Sequence, residues 1–122
     1  MTATATTTAP EAEHTGSWVD VCAAADITPG RGVAALIGGL QMAVFVLDDG
    51  RVFAIDNRDP WSGANIMSRG LVGSIGERVV VASPMYKQRV DLATGEGIDD
   101  PDARVSTYPT RVAAGRVEVA FP

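Results

Sequence analysis

The chain has 122 residues, 15 acidic and 10 basic side chains, a net charge of −5 and 46% hydrophobic residues. That length suits one domain near the small end of independent stability. The negative charge and the lack of a Lys/Arg block exclude nucleic-acid binding, which depends on phosphate neutralisation, and no stretch approaches the roughly 20 apolar residues of a membrane helix.

Residues 1–15 are mostly Thr, Ala and Glu without aliphatic periodicity, so a disordered tail is expected there, with one domain from 16 to 122. Neither a signal core nor a transit segment is visible at the start, which makes the cytoplasm the expected compartment. The single histidine, His14, falls in the tail. The single cysteine, Cys22, can close no internal disulfide and reads as a small buried hydrophobe.

From Trp18 onward, short β-branched runs are punctuated by Gly and Asp, the pattern of an all-β domain. Ala23 to Ile27 suits one helical turn, ended by Thr28-Pro29-Gly30. Gly38-Gly39 joins the run Val33 to Ile37 to a strand from Leu40, and Asp49-Gly50 joins Gln41–Leu47 to Arg51–Asp56 as a tight hairpin. Leu71-Val72 and Val79 to Ala82 read as strands, whereas the glycines between Gly70 and Gly76 suggest a turn-rich connection. Gln88 to Leu92 runs to a Thr94-Gly95 turn. Asp99, Asp100 and Asp102 lack EF-hand spacing and read as a solvated acidic loop. Val105 to Val112 and Arg116 to Phe121 flank Ala113-Ala114-Gly115 as a closing hairpin. The expectation is a small antiparallel sandwich or barrel with a loop subdomain at one end.

Two loops carry the chemical question. Asp59-Pro60-Trp61-Ser62-Gly63 and Ser83-Pro84-Met85-Tyr86 have the spacing of the Cys-x-His and Cys-x-x-His loops of a Rieske [2Fe-2S] centre. The four ligand positions read Asp59, Trp61, Ser83 and Tyr86. The segments Asn57 to Ile66 and Val79 to Glu96 continue the Rieske-like pattern. Trp18-Val19-Asp20-Val21-Cys22, Phe53-Ala54-Ile55-Asp56-Asn57, Ser68-Arg69-Gly70-Leu71 and Ala82-Ser83-Pro84 followed by Lys87-Gln88-Arg89 narrow it. Over about residues 17 to 121 the chain resembles the small subunit of assimilatory NADH-dependent nitrite reductase, a family whose members also lack the cluster ligands. The resemblance implies a Rieske-like fold and an accessory, non-catalytic role in reducing nitrite to ammonium. It also implies a large partner subunit that carries FAD, siroheme and an iron–sulfur cluster.

The residues themselves argue against a cluster on this chain. Asp59 is a hard carboxylate, Ser83 a hydroxyl that stays protonated near neutral pH, and Trp61 offers an N–H without a metal-binding lone pair. Tyr86 suits ferric iron as a phenolate, but one Tyr and one Asp do not make a cluster site. Trp61 and Tyr86, rings that bury roughly 150 to 250 Å² each, are expected to plug the vacated volume, while Asp59 and Ser83 fix their turns by hydrogen bonds. Radical transfer through these rings needs a stronger oxidant than a nicotinamide-driven system supplies. Arg58, Arg69, Lys87 and Arg89 lie on or beside the two loops, so a locally positive docking surface is expected. The competing readings are a stand-alone cluster-free Rieske-like interaction module and a cluster-bearing oxygenase ferredoxin.

Overall fold

The computed structural model describes residues 17–121, and the expected tail, His14 included, lies outside them. Among the described residues the strands are β1 (Ser17–Ala23), β2 (Gly32–Ile37), β3 (Leu40–Val46), β4 (Val52–Asp56), β5 (Leu71–Ile75), β6 (Arg78–Ala82), β7 (Arg89–Asp91), β8 (Thr107–Tyr108), β9 (Thr110–Ala113) and β10 (Arg116–Phe121). They form three antiparallel sheets, ordered β1-β10-β9, β2-β3-β4-β8 and β5-β6-β7. The only helical pieces among the described residues are two 3₁₀ turns, Ala24–Asp26 and Met67–Arg69. The first realises the turn expected within Ala23 to Ile27.

The middle sheet explains why β3 and β4 are continuous apolar runs rather than alternating ones. Met42, Val44, Val46, Val52 and Ala54 face one way and pack with Val117 and Val119 of β10. Ala43, Phe45, Phe53 and Ile55 face the other way and pack with Met67, Val81, Val90, Leu92 and Val105. Two cores therefore share one sheet. The second core seats the β5-β6-β7 sheet, which is the expected loop subdomain.

Turn chemistry sets the register. Ile37 pairs with Leu40 and Ala113 with Arg116, and the residues between them, Gly38-Gly39 and Ala114-Gly115, all have positive φ, as a two-residue primed turn requires. A Cβ on Gly38 would also lie 2.4 Å from the Phe121 ring. The Asp49-Gly50 hairpin is looser than expected. Only Gly50 has positive φ, the Leu47 amide donates to the Arg51 carbonyl at 2.8 Å, and the Asp49 carboxylate accepts from the Arg51 amide at 3.0 Å.

Two expectations need correcting. Within the glycine-rich stretch expected as a turn-rich connection, the strand begun by Leu71-Val72 runs on to Ile75 as β5, because pairing with the apolar β6 supplies the stabilisation that the exposed Gly73 and Ser74 lack. The single strand expected over Val105 to Val112 is split at Pro109, which has no amide to donate to a ladder. β8 pairs with β4 in the middle sheet, while β9 pairs with β10, so the chain changes sheet there.

Candidate functional site

The two loops are built alike. Loop 1 leaves β4 and loop 2 leaves β6, and in each a residue followed by Pro starts a five-residue turn closed on its own carbonyl. The Gly63 amide donates to the Asp59 carbonyl at 2.7 Å, and the Lys87 amide donates to the Ser83 carbonyl at 2.8 Å. The closing residue is left-handed in both, Gly63 with φ 80° and Lys87 with φ 64°. Each first side chain caps the turn it begins. Asp59 Oδ1 accepts from the Trp61 amide at 3.0 Å, and Ser83 Oγ accepts from the Met85 amide at 3.3 Å.

The loops are also bonded to each other. Ser83 Oγ donates to Asp59 Oδ2 at 2.9 Å, and Ser62 Oγ donates to the same oxygen at 2.8 Å. Asp59 and Ser83 are both fully buried. A carboxylate removed from water is tolerable only when its lone pairs are taken up by donors, and here two hydroxyls and an amide do so. Residue-by-residue reading anticipated each turn cap. It missed the bond across the loops, for which the only signal was a polar residue before Pro in both.

Further contacts hold the pair to the core. Buried Asn57 accepts at Oδ1 from the Ser68 amide (2.8 Å), accepts at its carbonyl from the Met67 amide (2.9 Å) and donates from Nδ2 to Gln41 Oε1 (3.2 Å). Below loop 2, nearly buried Asp91 accepts from Arg78 Nε at 2.7 Å and from the Ala93 and Thr94 amides at 2.7 and 3.1 Å. Burial pushes the Asp91 carboxyl up, but the Arg78 guanidinium and the two amides outweigh it and hold it below its usual range. Gly95 completes this turn where a Cβ would meet the Val105 carbonyl at 2.1 Å.

The expected aromatic plug is half right. Trp61 is half-buried, packs against the second core and donates from Nε1 to Asp100 Oδ2 at 3.1 Å. Tyr86 is 53% exposed and fills nothing. The loops are instead joined by two short polar side chains, Asp59 and Ser83.

The acidic loop is not simply solvated. It folds back on the basic loops, with Asp100 on Trp61 and Asp99 forking Arg89 at 2.7 and 3.0 Å. The Arg89 side chain, together with its amide, holds the Asp99 carboxyl at about 2. Arg89 is thus largely neutralised within the expected docking surface. The other three basic residues are not gathered at one spot. Arg69 lines a cleft with Arg31 and Leu71, Arg58 lines another with Gln41, Asp56 and Asn65, and Lys87 closes the exposed turn of loop 2. Arg31 escaped notice in the sequence because it stands outside both loops.

A [2Fe-2S] group of the Rieske kind asks for two thiolates and two imidazoles. The residues present do not fit it. The Asp59 and Ser83 side chains are spent on each other, Trp61 offers a donor already given to Asp100, and Tyr86 points no thiolate or imidazole equivalent inward. Among the described residues no group of three or more His, Cys, Asp or Glu is placed to hold a metal ion. No helix among them is long and apolar enough to cross a membrane.

The profile of the Rieske-like [2Fe-2S] domain family matches residues 17–120. A crystal structure from Mycobacterium tuberculosis, assigned as an NADH-dependent nitrite reductase small subunit, is 47% identical over 88% of this chain and 97% of that one, with a TM-score of 0.86. The nitrite reductase (NADH) small subunit of Salmonella typhimurium is 42% identical over 103 residues, which is 84% of this chain and 95% of that protein. The nitrite reductase [NAD(P)H] large subunit of Klebsiella oxytoca is 39% identical over 102 residues, so that the match takes in 84% of this chain but only 11% of that protein. Fold, loop pair and likeness agree, and the chain belongs to the Rieske-like [2Fe-2S] domain family, in the group of NADH-dependent nitrite reductase small subunits.

Proposed function

We propose that this chain is a non-catalytic accessory subunit of a cytoplasmic NADH-dependent nitrite reductase. It docks on a large subunit that carries FAD, siroheme and an iron–sulfur cluster and reduces nitrite to ammonium. The observation that carries this reading is the buried Asp59–Ser83 bond at 2.9 Å, which joins the loops directly where a Rieske domain would join them through iron. On this reading Asp59, Trp61, Ser83 and Tyr86 occupy vacated ligand positions. A chain without its own redox group contributes through contact surfaces, and the segment similar to it inside the Klebsiella oxytoca large subunit supports association with that kind of polypeptide. The docking face is the loop end, where Arg58, Arg69 and Lys87 stand at separate places and Arg89 is held by Asp99.

The test is nitrite reduction by the large subunit alone and with this chain added, with iron, sulfide and siroheme measured in every preparation. The chain is expected to be colourless and inactive, and to bind the large subunit and raise its activity or its cofactor content. Stoichiometric iron and acid-labile sulfide in the isolated chain, or no association with the large subunit, would overturn the reading.

A further inference from the structure

The placement of charge singles out one cleft. Arg51, Arg78, Arg89, Arg111 and Arg116 each sit on a carboxylate, and Arg104 donates to the Thr94 carbonyl. Among the described residues Arg31, Arg58, Arg69, Lys87 and Arg104 have no carboxylate within ion-pair distance. Two of these, Arg31 and Arg69, line the same cleft of about 330 Å³, together with Ser68, Leu71 and backbone from glycines.

That cleft is framed by close backbone packing. The 3₁₀ turn Met67–Arg69 is pressed against the start of β2 so tightly that a Cβ on Gly32 would lie 2.6 Å from the Ser68 carbonyl oxygen and 2.6 Å from the Phe45 ring. On the other side, a Cβ on Gly70 would lie 2.4 Å from the Ala82 carbonyl oxygen. Only glycine fits at either place, and so the backbone that carries the two arginines is closely packed. Like charges held at one small cleft repel each other. On a chain of net charge −5 that pairs most of its other arginines internally, two left unpaired at one cleft offer a place for an anionic group from outside.

The rim identifies the source of that anion. Leu71 is 74% exposed beside Arg69, and a small free anion would leave this apolar surface wet. An open, solvated guanidinium pair also gains little from a free ion, whereas a carboxylate presented by a protein surface brings apolar contact with it and is gripped by the planar guanidinium fork. We propose that Arg31 and Arg69 form a receptor for a carboxylate on an acidic segment of the large subunit, with Leu71 packing against an apolar neighbour of that carboxylate. This rests on the reading of the chain as a docking subunit, and it adds Arg31 and Leu71 to the contact.

The experiment measures affinity of the full chain for the large subunit at low and moderate salt, for the parent, Arg31→Glu, Arg69→Glu, the double variant and Arg104→Glu, with the fold of each checked by thermal melting. Each cleft reversal is expected to weaken binding on the order of tenfold, and the double variant is expected to flatten the salt dependence. Arg104→Glu, the same charge change outside the cleft, should bind like the parent. Equal binding by the parent and a folded double variant overturns the receptor and leaves the accessory-subunit reading intact. Failure of the parent itself to bind overturns both. A parallel titration of the chain with acetate and with nitrite is expected to show no saturable shift of the Arg31 and Arg69 resonances, and saturation there with undiminished large-subunit binding by the double variant overturns the proposal in favour of a small-anion site.

Discussion

Loop 1 and loop 2 follow one backbone plan but are secured to different degrees. Both begin with a buried polar residue before Pro, both cap their own turn and both close through a left-handed residue. Loop 1 closes with glycine, which adopts that conformation freely, and ties its ring to Asp100. Loop 2 closes with Lys87, which does not, and leaves Met85 and Tyr86 more than half exposed. Similar turns are therefore finished differently, one tied down by its ring and the other left open to solvent.

The largest expected break in this comparison comes at the residue both loops share. Asp59→Ala strands the Ser62 and Ser83 hydroxyls and the Trp61 amide inside the protein, and a loss of about 3 kcal/mol is expected in chemical denaturation. Ser83→Ala removes one donor, leaves the carboxylate two others and uncaps the exposed turn of loop 2, so about 1 kcal/mol is expected. Equal losses would show that the cross-loop bond common to both variants dominates over the two separate turn caps.

Rings at the two loops provide the next contrast. Trp61→Ala is expected to cost about 2 kcal/mol, less than a fully buried Trp because the ring is only half covered. Tyr86→Ala is expected to change stability by less than about 0.5 kcal/mol. A large loss at Tyr86 in the isolated chain would show that its ring packs on its own chain and that the two loops are secured alike.

The smallest effect is electrostatic. Asp99 titrates at about 2 in the folded chain, below the roughly 3.9 of an unperturbed Asp. A depressed carboxyl contributes its full stabilisation above about pH 4 and loses it as pH falls through about 2. The acidic loop should accordingly loosen from Arg89 in that window, read from the Arg89 amide that donates to Asp99 at 2.9 Å, and Asp99→Asn should abolish the transition. The pair is exposed, so salt should weaken it further.

Local chemistry was legible in the sequence and distant pairing was not. Hairpins at Gly38-Gly39 and Ala114-Gly115 were readable because left-handed turns restrict residue choice. Of the strand at Leu71–Ile75 only Leu71-Val72 was legible, because the stability of the rest comes from β6 and not from its own glycine and serine. Loop positions could be named from motif spacing, yet the bond from Ser83 to Asp59 joins residues far apart in the chain, and nothing local announces it. The same holds for Asp99 and Asp100, whose acidic run looked solvated until folding placed it on Arg89 and Trp61.

The doubly covered middle sheet has a mechanical consequence. Since β3 and β4 lend one face to each core, prising the loop-bearing sheet away would bare Phe45, Phe53 and Ile55 to water and forfeit the hydrophobic support behind them. Local opening of the loop end thereby costs nearly as much as global unfolding, which keeps the loop-bearing face stiff.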